Sequence, residues 1–122
     1  MKDAVHDDSC DLLGSFFATL AHATRMRIFC ALQHEPRSVS DIAEYAGISI
    51  TNASQHLRLM RDRGAVRAEK QAQHVYYRIA DQRFIEAASL IRRALSDHMS
   101  KEAEKALAGT ARRKSTKVAQ AA

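Results

Sequence analysis

SVSDIAEYAGISITNASQHLRLMRDRG, residues 38–64, decides how this chain folds. Val39, Ile42, Ala43 and Ala46 fall on one face of a helix running over about residues 39–46, and Ser38 can cap its start with a hydroxyl. Gly47 ends that helix. Only Ile48 separates Gly47 from the next cap candidate, Ser49, so the chain must turn sharply into a second helix that reaches about residue 63 and stops at Gly64. Two short helices joined by so tight a turn have helix-turn-helix spacing. In the second helix Ala53, Leu57 and Met60 repeat at i, i+4 and i+7 and take the inner face. Thr51, Asn52, Ser54, Gln55 and Arg58 are left outward near its N-terminal half. Such side chains can hydrogen-bond base edges, and Arg58, Arg61 and Arg63 can meet phosphates. His56 turns toward Met60 and reads as mainly structural, with phosphate contact as its second role.

Upstream, Leu13, Phe16, Phe17 and Leu20 have helical spacing, and Cys10 shares a stripe with Leu13 and Phe17. Asp7, Asp8 and Asp11 put negative charge where the helix dipole favours it, which accounts for His6, Asp7, Asp8, Cys10 and Asp11 better than metal ligation does. After a break at His22 and Ala23, Thr24 is a candidate cap for a helix with Ile28, Phe29 and Leu32 inward, ended before Pro36. Cys30 lies beside that inner face. His22, His34 and His74 show no ligand spacing.

Downstream of Gly64 the pattern alternates, predicting strands over residues 65–70 and 74–79. This hairpin is a wing, made basic by Arg67, Lys70 and Arg78. Residues 71–73 lack the glycine or asparagine of a two-residue turn, so a longer loop is expected. Asp81 can cap a last helix with Phe84, Ala88, Ile91, Leu95 and His98 on one stripe, which continues through Leu107. About 27 residues of helix span about 40 Å, more than a small domain needs to cover its own core. A second subunit accounts for the surplus apolar face. The sequence thus predicts a mainly α fold with a small β-hairpin, a dimeric winged helix-turn-helix. Residues 1–8 would be an acidic extension, 9–108 the domain with N- and C-terminal dimerisation helices, and 109–122 a flexible basic tail.

The 122 residues allow one domain with a modest core, and 46% hydrophobic composition argues for a folded chain. Lys and Arg number 19 against 14 Asp and Glu, a formal charge of +5 that suits a polyanion without requiring one. The first residues lack the apolar region of a secretory leader, and no apolar run approaches the roughly 18 residues of a membrane span. A cytoplasmic location is expected. The two cysteines form no Cys-x-x-Cys pair, so both should be free thiols. No glycine-rich phosphate loop or paired nucleophile and base is visible, so neither an enzyme nor a bound cofactor is expected.

Leu20-Ala21-His22-Ala23-Thr24-Arg25-Met26-Arg27-Ile28, Ser54-Gln55-His56-Leu57, Arg61-Asp62-Arg63-Gly64-Ala65-Val66 and His74-Val75-Tyr76-Tyr77-Arg78-Ile79 follow one another in an order and spacing that resembles the ArsR/SmtB family of bacterial winged-helix repressors. The resemblance covers about residues 16–99. It implies a homodimer on double-stranded DNA, at a palindromic operator, released by a metal, metalloid or sulfur signal.

The family's metalloid-binding Cys-x-Cys falls here on Ser38-Val39-Ser40, whose hydroxyls are poor ligands for soft ions. The zinc positions between the last helices of some members fall on Asp81, Arg83, Ala94 and Asp97, and Arg83 puts a cation where zinc should sit. No metal site is therefore expected, unless His98 and Glu102 form a displaced one. Cys30 falls near the first sensor cysteine of the persulfide- and redox-sensing branch. That branch's second cysteine, in the last helix, is missing, which leaves Cys10 as the other thiol. The resemblance so implies a repressor relieved through Cys30 with Cys10 by sulfane sulfur, an oxidant or a metalloid. The rival readings are a constitutive architectural DNA-binding protein with inert cysteines, a sensor with a displaced metal site, and a winged-helix module that binds proteins.

Overall fold

The computed structural model describes residues 8–121, with side chains through residue 110. Its elements run α1 (Asp8–Leu20), α2 (Ala23–Ala31), β1 (Arg37–Ser38), α3 (Val39–Ala46), α4 (Ile50–Asp62), β2 (Val66–Gln71), β3 (His74–Ile79) and α5 (Gln82–Ala121). The strands form one antiparallel sheet in the order β1-β3-β2. The chain is mainly helical with a small sheet, a winged helix-turn-helix. It divides after Ile85 into two units, the second being α5 from Glu86 onward.

The first unit is built around three short helices whose inner stripes meet. Ile28 and Phe29 from α2, Ile42 from α3, and Ala53, Leu57 and Met60 from α4 are almost wholly buried. Leu32, Ala43, Ala46, Ala65, Val66 and Ile79 close the core around them. On the helices these are the positions that the 3.6-residue pattern selects, because one buried stripe per element is what a small domain can cover. Ala65, Val66 and Ile79, by contrast, are buried at one end of the hairpin without a regular alternation along it. Arg27 donates to the carbonyl of Ala46 at 3.2 Å and so ties α2 to the end of α3.

Several elements differ from expectation, each for a physical reason. The α2 cap is His22, not Thr24: its Nδ1 accepts from the Thr24 backbone N–H at 3.2 Å, with His22 in extended conformation. β1 has only two residues, too few to show any period, yet Arg37 pairs with Tyr77 and Ser38 with Tyr76. The wing turns in two residues rather than through a longer loop, since Gln71 pairs directly with His74. Ala72 bends the chain there at a φ of 56°, in the left-handed region that glycine normally fills.

The stripe of Cys10, Leu13 and Phe17 is not part of the core of this unit. Cys10, Leu13 and Phe17 are exposed, while Thr19 and Leu20 are the buried residues of α1. Phe16 instead packs on Phe84, with ring centroids 4.5 Å apart.

Gly109 does not end the last helix. α5 is 40 residues long and continues through Ala121, so the boundary expected between domain and tail is no break in the backbone. The segment after Gly109 is rich in Ala, Arg and Lys and lacks proline, and one interior glycine costs a helix only about 1 kcal/mol. Apart from Asp8, the acidic extension over residues 1–8 lies outside the described residues.

Candidate nucleic-acid interface

Capping fixes where α3 and α4 begin and how sharply one follows the other. Ser38 Oγ accepts from the Asp41 N–H at 3.2 Å, and Ser49 Oγ accepts from the Asn52 N–H at 3.1 Å. Gly47 adopts a φ of 70°, and Ile48 N–H reaches back to the Ala43 carbonyl at 3.0 Å, the Schellman closure. The same device recurs after α4. Gly64 has a φ of 79° and Ala65 N–H donates to the Met60 carbonyl at 2.8 Å, which aims the chain into β2.

With Ala53, Leu57 and Met60 at zero exposure, the opposite face of α4 must point away from the core. Thr51, Asn52, Ser54, Gln55 and Arg58 are all exposed on it. They present hydroxyl, carboxamide and guanidinium groups from one short helix, the chemistry that can read bases from the major groove. Arg61 and Arg63 lie at the far end. Arg61 stands 4.0 Å from Asp62, and Arg63 donates to Thr19 Oγ1 at 3.4 Å, so part of the Arg63 fork is turned toward α1.

In the wing, Arg67 donates to the Ala80 carbonyl at 2.7 Å and Arg78 pairs with Glu69 at 3.0 Å. Lys70 is exposed opposite Val75 and, among the described residues, forms no ion pair. Two of the three wing cations are thus committed within the protein. Sequence spacing could not show this, because Glu69 and Arg78 meet only across the strand register.

Cys10 is exposed on α1 and Cys30 half-buried on α2, and neither forms a disulfide. Asp81 caps α5 by accepting from the Arg83 N–H at 2.9 Å, and the Arg83 side chain grips the same carboxylate at 3.0 and 2.8 Å. The Arg83 side-chain bonds, followed by its backbone bond, hold the Asp81 carboxyl at about 2, well below its usual range. Its oxygens are already engaged by a cation. Among the described residues no three His, Cys, Asp or Glu side chains are grouped so as to hold a metal ion.

Sequence spacing did not reveal the cluster around Thr19. This buried residue receives Arg25 Nε on its carbonyl at 2.5 Å and Arg63 on its hydroxyl, while His22 and His56 face each other with centroids 5.1 Å apart. Burial, then His22 and Arg25, keeps the His56 imidazole below its ordinary value.

Residues 20–69 match a family model described as a helix-turn-helix domain. The crystal structure of Rv0081 from Mycobacterium tuberculosis superposes with a TM-score of 0.71 at 31% identity, covering 80% of this chain and 98% of that one. The solution structure of Mb0332 from Mycobacterium bovis, a homodimeric winged helix-turn-helix DNA-binding domain described as a possible ArsR-family transcriptional regulator, gives a TM-score of 0.72. It is 26% identical, over 81% of this chain and 91% of that one. A transcriptional repressor SmtB homolog from Synechocystis is 28% identical over 75% of this chain and 67% of its own length. The chain belongs to the ArsR/SmtB family. As an ArsR/SmtB regulator it is a DNA-binding transcription factor and not an enzyme. No helix among the described residues is long and apolar enough to cross a membrane.

Proposed function

We propose that the protein is a homodimeric repressor that reads a palindromic operator through α4 and lets go of it when Cys30, with Cys10, meets a thiol-directed signal. The observation that carries the DNA-binding part is the outward set on α4. Five polar side chains stand exposed over a wholly buried stripe, on a helix fixed at both ends. Thr51, Asn52, Ser54, Gln55 and Arg58 read bases, while Arg61, Arg63 and Lys70 hold phosphates.

Two apolar faces support the dimer. Leu12, Leu13 and Phe17 are 72%, 56% and 47% exposed on α1, and on α5 Ile91, Leu95 and Met99 are 46%, 58% and 70% exposed. Runs of large apolar side chains so open to water mark protein interfaces. Covering both sets with a second subunit places two recognition helices under one two-fold axis, as a palindrome requires.

The thiol part rests on the family resemblance and on accessibility. Cys10 is open to solvent, and Cys30 sits at the edge of the α2 core, where modification would disturb packing. The test is duplex binding by wild type, Cys10→Ser and Cys30→Ser, each reduced and then treated with polysulfide, peroxide or arsenite. Loss of operator affinity by treated wild type but not by treated Cys30→Ser is the expected result. No response by wild type would leave the cysteines inert and the protein a constitutive DNA binder, and a loss as large in Cys30→Ser would remove Cys30 as the sensor.

A further inference from the structure

On the helical wheel of α4, His56 lies neither on the buried stripe nor on the outward face but on the flank between them, about 60° from the stripe's centre. It is half-buried there. A helix with its side chains is about 10 to 12 Å across and the major groove about 12 Å wide, so the flanks of a seated recognition helix face the backbone, not the bases.

The groups gathered at this flank are all basic. His22 stacks obliquely on His56, with ring planes 47° apart, and Arg25 comes from the first turn of α2. Arg25 donates its Nε to the Thr19 carbonyl, which leaves the two terminal nitrogens of its fork as further donors. Because His22 Nδ1 accepts from the Thr24 N–H, Nε2 is the ring nitrogen that can donate. Among the described residues neither Arg25 nor Arg63 pairs with a carboxylate, and no charged group of opposite sign is among the causes acting on His56. A site with only donors and cations lacks an anion.

We propose that His22, Arg25 and His56 form a clamp for a phosphate of the DNA backbone, and that His56 takes up one proton from solvent as the phosphate seats. This rests on the DNA-binding reading above and extends it to a contact made outside the groove. In the free protein burial, then His22 and Arg25, disfavour a charge on His56. A bound phosphate reverses that balance, so the complex holds a proton that the free protein does not. Duplex affinity must then rise as the pH falls.

A backbone clamp is blind to sequence, so a fluorescently labelled random-sequence duplex suffices as the probe. Its affinity is followed by anisotropy at low salt, at about pH 7.5 and about pH 6. Wild type should bind about threefold or more tightly at the lower pH, within the tenfold that one pKa unit allows. His56→Gln should lose that gain, its affinity changing little between the two pH values. His22→Asn, which keeps a side chain able to cap α2, should weaken binding at both pH values, and Arg25→Gln should lower the salt slope by about one. Duplex binding by wild type with no pH gain, or an equal gain in His56→Gln, overturns the clamp and leaves the DNA-binding reading standing. Failure of wild type to bind any duplex overturns both.

Discussion

Gln55 and Lys70 are both exposed polar residues, yet their surroundings assign them different work. Gln55 projects from the middle of a helix whose opposite face is sealed in the core, so its side chain leaves from the outward face, where a carboxamide can pair with an adenine edge. Lys70 extends from a wing strand as a mobile point charge. Gln55→Ala should cost about 1 to 3 kcal/mol at particular base pairs, whereas Lys70→Ala should weaken all sequences alike and flatten the salt dependence. Equal losses on operator and random duplex for Gln55→Ala, measured by titration, would contradict base reading by that residue. Ala72 gives a second test at this scale. Its left-handed backbone costs about 1 kcal/mol that glycine avoids, so Ala72→Gly should raise the unfolding free energy by up to that amount. His56 gives a third. Its folded value lies below 6.5 because burial and neighbouring basic groups disfavour the charge, so the unfolded chain binds the proton more readily. Stability is therefore complete above about pH 6.5 and declines as the pH falls below it, a decline that denaturant melts should find reduced in His56→Gln.

Helix α4 shows which features a sequence can disclose and which it cannot. Its caps, its inner stripe and its outward face all follow from local spacing, and Ser49, Ala53, Leu57, Met60 and Gly64 stand where spacing puts them. The same holds for Asp81 at the head of α5. Features that depend on distant partners were not legible. β1 exists because Tyr76 and Tyr77 offer Arg37 and Ser38 a strand to pair with, and the tight turn at Ala72 is enforced by the register of β2 on β3. His22 took the cap from Thr24 because an imidazole can do a hydroxyl's work once the chain before α2 is extended. The cation cluster around Thr19 draws on α1, α2 and α4, and no single periodicity spans those elements. At this scale Ser49→Ala should cost about 1 kcal/mol, by loss of one cap bond, and Leu57→Ala about 2 to 5 kcal/mol, by opening a cavity between α4 and its neighbours. Calorimetry should separate the two. Near-equal costs would mean that α4 is held by its ends and not by its buried stripe.

For the whole molecule, the apolar residues that the first unit leaves uncovered on α1, and those along α5, are explained together by a partner copy. Ile91→Glu combined with Leu95→Glu should give monomers in sedimentation, and a dimer that survives both changes would remove α5 from the interface. Dimerisation and operator reading are then one property, because a single α4 touches too few base pairs to be selective, whereas two related by a two-fold axis read half-sites about one helical turn apart. The proposed function turns on sequence reading by the exposed face of α4. It is tested most directly by selecting binding sites from a random-sequence duplex pool and comparing the selected site with unselected duplex at one salt concentration. The expected result is a palindromic consensus bound about a thousandfold or more tightly than random duplex, with the preference much reduced in Gln55→Ala. A pool that yields no consensus, with selected and random duplexes bound equally and with the same steep salt dependence, would contradict it.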